Sequence, residues 1–157
     1  MVTEATELPA GLARALRGDR LDEEIGRTVL LVAPAADGWP RVATLSVGEV
    51  LAPDARRILL SLYATSRTTA AIRAAGRALL LADDDGAIVR VRLTTTEIED
   101  AAAAEAGRVT FRGDVAAVEI DAVPYARVTH GIGFELLDPD AALARWRRQL
   151  DELAALA

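Results

Sequence analysis

Ser66-Arg67-Thr68-Thr69 puts two kinds of anion-binding group into four residues: hydroxyls, and a guanidinium that never loses its charge in a protein. The stretch follows the apolar run Arg57–Leu62 and opens a segment, Thr68–Ala75, that reads as a short helix with Gly76 as its end. A helix start leaves backbone N–H groups unpaired and carries a partial positive charge, so it attracts anions. Hydroxyls and an arginine beside it would complete a phosphate cradle, because the planar guanidinium donates two parallel hydrogen bonds to phosphate oxygens. The plainer reading makes Ser66 a helix cap, Thr69 a solvent-facing residue and Arg67 a surface charge. Histidine is the residue type that by default changes charge near neutral pH, but the sole one, His130, sits in Thr129-His-Gly-Ile-Gly133, which reads as a loop. Asp83-Asp84-Asp85-Gly86 lacks the alternation of a calcium loop and reads as a hairpin turn, so no metal site is expected.

The composition removes whole classes of chemistry. The 157 residues contain no Cys, which excludes thiol nucleophiles, disulfides and iron–sulfur clusters. All 18 basic residues are Arg, so no lysine can form a Schiff base with pyridoxal phosphate. A single His cannot build a multi-imidazole metal site within one chain. The net charge of −6 disfavours non-specific binding to nucleic acid or to an anionic membrane. Apolar runs such as Val29–Ala33 are far shorter than the ~20 residues of a membrane helix. The acidic start, Met1 to Leu8, is unlike an export signal, and a cytoplasmic location is expected.

The elements that would position these residues are mainly strands. Hydrophobic residues make up 52% of the chain and aromatics 4%, so the core must be aliphatic. Six strands are expected: Arg27–Ala33, Arg41–Val47, Arg57–Leu62, Ala78–Ala82, Ala87–Thr95 and Val115–Val123. Asp37-Gly38-Trp39-Pro40 and Pro53-Asp54 read as turns. Leu8, Leu12 and Leu16 line one face of a short helix over Leu8–Arg17; Asp100–Gly107 fits either a helix or a loose connection. Asp138 and Pro139 open a terminal helix whose Leu143, Trp146, Leu150 and Leu153 form one stripe. That stripe must cover one end of the barrel or a partner subunit. The expected fold is a single domain over residues 1–157, a small six-stranded β-barrel with short helices over its openings.

The order of strand, strand, Ser-Arg-Thr, short helix and strand resembles the pyridoxamine 5′-phosphate oxidase-like family, the flavin mononucleotide (FMN)-binding split barrels. The resemblance covers roughly Val29 to Arg92 and rests on Arg41-Val-Ala-Thr-Leu-Ser46, Ser66-Arg67-Thr68 and Ala75-Gly76-Arg77. It implies that Arg41, Val42, Ala43, Thr44 and Ser46 line the flavin ring. By the same resemblance Ser66, Arg67 and Thr68 hold the phosphate, with Ser61 and Leu62 beneath it and Arg90 near the ring. It implies FMN as cofactor, a homodimer with the flavin in the groove between subunits, and a small-molecule substrate or electron donor. Three family features are replaced. Thr68 stands where a second basic residue is usual, Ser46 stands where oxidases carry Lys, and the C-terminal Arg-x-His-x-Arg of true oxidases is missing. Flavin binding is therefore expected, and oxidation of pyridoxamine phosphate is not. Three functions are compatible with the barrel. They are a flavin-dependent oxidoreductase, a non-catalytic module for flavin, deazaflavin or haem, and a ligand-free interaction domain.

Overall fold

The computed structural model describes all residues from Met1 to Ala157. Its strands are β1 (Val2–Ala5), β2 (Thr28–Ala33), β3 (Arg41–Ser46), β4 (Val50–Asp54), β5 (Arg57–Tyr63), β6 (Arg77–Asp84), β7 (Ala87–Ile98) and β8 (Arg108–Asp121). The helices are α1 (Ala10–Ala15), α2 (Arg67–Ala75), α3 (Ala101–Glu105) and α4 (Pro139–Ala154). Every ladder is antiparallel, in the order β3-β2-β6-β7-β8-β5-β4, with β1 added to β8. The two edge strands, β3 and β4, are consecutive in the chain and joined only through Val47–Glu49. The sheet therefore curls so that its two edge strands are joined at that corner, with no ladder between them. This is a split barrel.

Eight strands form where six were expected. β4 was hidden by Pro53, which reads as a turn but is tolerated here because β4 is an edge strand whose register slips between Leu51 and Asp54. The turn falls instead at Ala55-Arg56. β1 is nearly all exposed and has no apolar pattern to announce it; it is held by its backbone pairing to Val118–Asp121. β8 begins at Arg108 rather than Val115, because Arg112, Gly113 and Asp114 mask a strand that β5 and β7 pair on both sides. Ala116 is the extra residue of a bulge in β8, between the pairs Arg92–Ala117 and Leu93–Val115.

Helix α2 exists because β5 and β6 are not neighbours in the sheet: β8 and β7 lie between them. The chain must cross one end of the barrel, and α2 does so with Thr69 and Ile72 fully buried. Gly76, at φ 63°, supplies the left-handed residue that ends it. The Asp85-Gly86 turn between β6 and β7 has both residues at positive φ, 44° and 81°, which matches the twist of a two-residue hairpin. The stretch open between helix and loop is α3, capped by Asp100, whose other oxygen accepts from the Thr110 hydroxyl at 2.6 Å. α1 is shorter than expected, starting after Pro9.

The stripe of α4 covers the barrel at β4 and β5, with Leu143, Trp146, Leu150 and Leu153 all buried. Asp138 caps it by accepting from the Ala141 N–H at 3.1 Å, with Pro139 in the first turn. The core runs without interruption from Leu8 to Leu153. No helix is long and apolar enough to cross a membrane.

Candidate functional site

The start of α2 is ordered by its own side chains. Ser66 Oγ accepts from the Thr68 and Thr69 N–H groups at 3.1 and 3.3 Å, which makes it the N-cap. Thr69 does not face solvent: it is fully buried and its hydroxyl donates to the Tyr63 carbonyl at 2.8 Å. Thr68 is buried beside it. Arg67 alone turns outward, exposed, with no ion-pair or hydrogen-bond partner. Two of the helix's first amides are thus already satisfied, and the charge left free at the start of α2 is the guanidinium.

The second part of the site comes from the β2–β3 hairpin, against which α2 packs. Asp37 accepts from Arg41 at 2.6 Å with one oxygen and from the Trp39 N–H at 3.1 Å with the other. The Arg41 hydrogen bond, the Trp39 amide, and the charges of Arg41 and Arg67 together hold the Asp37 carboxyl below the usual carboxylate range. Arg41 alone holds this carboxylate directly, at the open end of an edge strand, while α2, which begins with Arg67, packs against the same strand. Trp39, at the hairpin tip, is 74% exposed.

The pleat divides the rest of β3. Arg41, Ala43 and Leu45 lie opposite Ala33, Leu31 and Val29, whose side chains are buried, so these three point to the barrel interior. Val42 and Thr44 lie opposite Val32 and Leu30 and point to the outer face, where Val42 is 55% exposed. Arg41 to Thr44 is thus not one surface but two. On the outer face, next to β3, an open groove of about 520 Å³ is lined by Val32, Pro34, Pro40, Leu79, Arg77 and Arg92 among others.

Ser46 and Ser61 come together, but at the barrel corner. Glu49 Oε2 accepts from the Ser46 N–H at 2.7 Å and from its hydroxyl at 2.9 Å; the Glu49 carbonyl accepts from the Ser61 N–H at 2.9 Å. Ser61 Oγ accepts from Arg108, whose other nitrogen binds Glu152 of α4 at 2.7 Å. Leu62 is part of the core. Arg90 is paired with Asp121 at 2.9 Å. It lies in the row Thr44–Leu30–Leu81–Arg90, three strands from β3, roughly 14 Å at the usual strand spacing.

His130 lies at the other end of β2. Its neighbours Gly131 and Ile132 approach Thr28 and Asp83, whereas Arg41 pairs with Ala33, roughly 16 Å farther along the strand. Asp37, Glu49 and Arg108 were not singled out from sequence. Only Asp37 carried a signal, a carboxylate four residues before Arg41 across a tight turn. Glu49 and Arg108 act through partners that folding brings close.

No family model matches the chain. It is 31% identical over 142 residues to the uncharacterised Bacillus subtilis protein YclD, covering 90% of this chain and 92% of that one. Among solved structures it resembles a candidate pyridoxamine 5′-phosphate oxidase from Lactobacillus delbrueckii, with TM-score 0.56 and 18% identity over 73% of this chain and 94% of that one. The conserved hypothetical protein Rv2991 of Mycobacterium tuberculosis matches with TM-score 0.53 and 15% identity, over 81% and 96% of the two chains. The chain belongs to the family of YclD, and its fold is that of the pyridoxamine 5′-phosphate oxidase-like split barrels.

Proposed function

We propose that this protein binds FMN at the open end of β3 and serves as a cytoplasmic, homodimeric flavin-dependent oxidoreductase acting on a small molecule. The observation that carries the reading is the unpaired Arg67 guanidinium at the start of α2, a helix that packs against β3, whose first residue is Arg41. The donor set suits the group. Arg67 offers a fork to the phosphate. β3, with a strand on one side only, leaves half of its backbone N–H and C=O groups free for the polar edge of a flavin ring. The outer face supports a second copy as partner: it presents Val42 and an apolar groove with Arg77 and Arg92 at its margin.

When bound, the flavin supplies the electron transfer, and the protein's part is to hold and orient it. Arg67 and Arg41 bind its anionic tail, and β3 fixes the ring plane. One observation favours a second reading, a module that holds a flavin, deazaflavin or haem without turnover. No group at the site is poised to move a proton: Asp37 is kept ionised, and His130 lies at the far end of the barrel.

The test is the visible spectrum of the freshly purified protein, followed by addition of a reduced nicotinamide nucleotide. Flavin bands that bleach support the oxidoreductase. Bands that persist support the binding module, and a colourless protein that does not take up FMN removes both.

A further inference from the structure

We infer that the open cleft between α1 and the β6–β7 turn is a second ligand site, shaped for an aliphatic amino acid: its carboxylate on Arg14, its ammonium on Asp84 and Asp85, its carbon skeleton on Val89 and Ile120. The cleft, of about 750 Å³, lies at the end of β6 away from α2. Asp84 is the last residue of β6, roughly 23 Å along the strand from Arg77, which follows the Gly76 that ends α2. Val89 and Ile120 lie directly opposite each other on β7 and β8 and give the cleft an apolar floor, with Val89 buried and Ile120 half-buried. Charges of both signs line it, and none is spent on another: Arg14, Asp84 and Asp85 form no ion pair.

The Asp84 carboxylate is fixed in the cleft by its contact with α1. It accepts from the Leu12 N–H, and a Cβ on Gly11 would fall against both of its oxygens, so only glycine lets the α1 backbone come this close. Burial holds the Asp84 carboxyl above its usual range, and the Leu12 N–H and Arg27 offset only part of that. Arg27 is itself engaged by Glu24 and by the Asp83 carbonyl, each at 2.7 Å. Arg127 lies against Gly86 but lines a neighbouring hollow with Val123 and Val128. The half-buried carboxylate therefore lacks a cation of its own. An amine alone would leave Arg14 without a counter-charge, and an anion alone would meet two carboxylates. A ligand carrying both charges satisfies every group. The aspartates of the turn do not form a metal-ligating cluster.

The experiment is an NMR titration of the full-length protein with L-leucine and 6-aminohexanoate, zwitterions of short and long charge separation, and with the one-charge analogues hexylamine and hexanoate. At least one zwitterion is expected to shift the amides of Gly11, Val89 and Ile120 while leaving Thr68 and Thr69 at the start of α2 unmoved. It should bind about fivefold more tightly than either one-charge analogue, the worth of one partly solvated ion pair. Arg14→Gln should erase the advantage over hexylamine, and Asp85→Asn should reduce the advantage over hexanoate. Both side chains are exposed, so neither change disturbs the core. The inference is overturned if neither zwitterion shifts these amides, if neither binds better than the one-charge analogues, or if both variants keep the parent's preferences. Each of these results leaves the flavin reading standing, because that site lies at the other end of β6 and is tested with FMN.

Discussion

Gly48→Ala tests the corner on which the barrel closes. A Cβ at Gly48 would lie 2.0 Å from Trp146 Cγ, 2.2 Å from Cδ1 and 2.5 Å from Cβ. These are the root atoms of a rigid side chain on α4, so the clash cannot be relieved by swinging a flexible end. Trp146 is itself 2% exposed, with Phe134 edge-on at a ring-centroid separation of 6.3 Å. Relief requires α4 to shift away from β4 and β5. Overpacking of a filled core costs about 1–3 kcal/mol, and this site belongs at the upper end, about 3 kcal/mol. For a chain of this size that is a drop in Tm of roughly 6–12 °C. The assay is thermal and urea unfolding of Gly48→Ala, Trp146→Ala and the double variant. Trp146→Ala alone should cost about 3–5 kcal/mol through the void it leaves, and adding Gly48→Ala to it should cost almost nothing further. Gly48→Ala within about 0.5 kcal/mol of the parent, or equally costly with and without Trp146, would refute this packing.

Two further variants probe the same frame. Arg108→Met removes the link between Ser61 on β5 and Glu152 on α4, where Arg108 is only 10% exposed. It should cost about 1.5–3 kcal/mol in denaturant unfolding, and a smaller loss for the double variant with Glu152→Gln would confirm that the stranded carboxylate bears much of it. Asp84 lies partly buried against α1, and burial raises its pKa more than the Leu12 N–H and Arg27 lower it. A folded pKa above the unfolded one means that the penalty is absent at low pH, grows as pH rises through that window, and is complete above it. Asp84→Asn, whose amide oxygen still accepts from Leu12, should be more stable than the parent at neutral pH. Its advantage should vanish below about pH 4, the unfolded carboxylate value. Urea midpoints that show no gain at neutral pH would contradict it.

Much of this fold is legible where local chemistry and tertiary packing agree. The Leu143–Leu153 stripe with its Asp138-Pro139 start marks α4, and Ser66 and Gly76 mark the two ends of α2. β4 is not legible, because proline argues against a strand until the strand is known to be an edge. The site divides in the same way. Ser66, Arg67 and Arg41 stand out because a helix start and a guanidinium are local signals. Arg41 to Ser46 looks like one lining in sequence, yet the two-residue pleat sends Arg41 and Ala43 inward and Val42 and Thr44 outward. The hydroxyls of Ser46 and Ser61 look equally available, and only the folded chain brings Glu49 and Arg108 to occupy them.

The central claim is that Arg67, the unpaired cation at the start of α2, grips the anionic tail of a flavin. Fluorescence titration of FMN and riboflavin into the parent and Arg67→Ala measures it directly. The parent should prefer FMN to riboflavin. Arg67→Ala should lose about 1.5–3 kcal/mol toward FMN, roughly ten- to a hundredfold, with riboflavin little changed. Equal affinity of the two proteins for FMN would contradict the account.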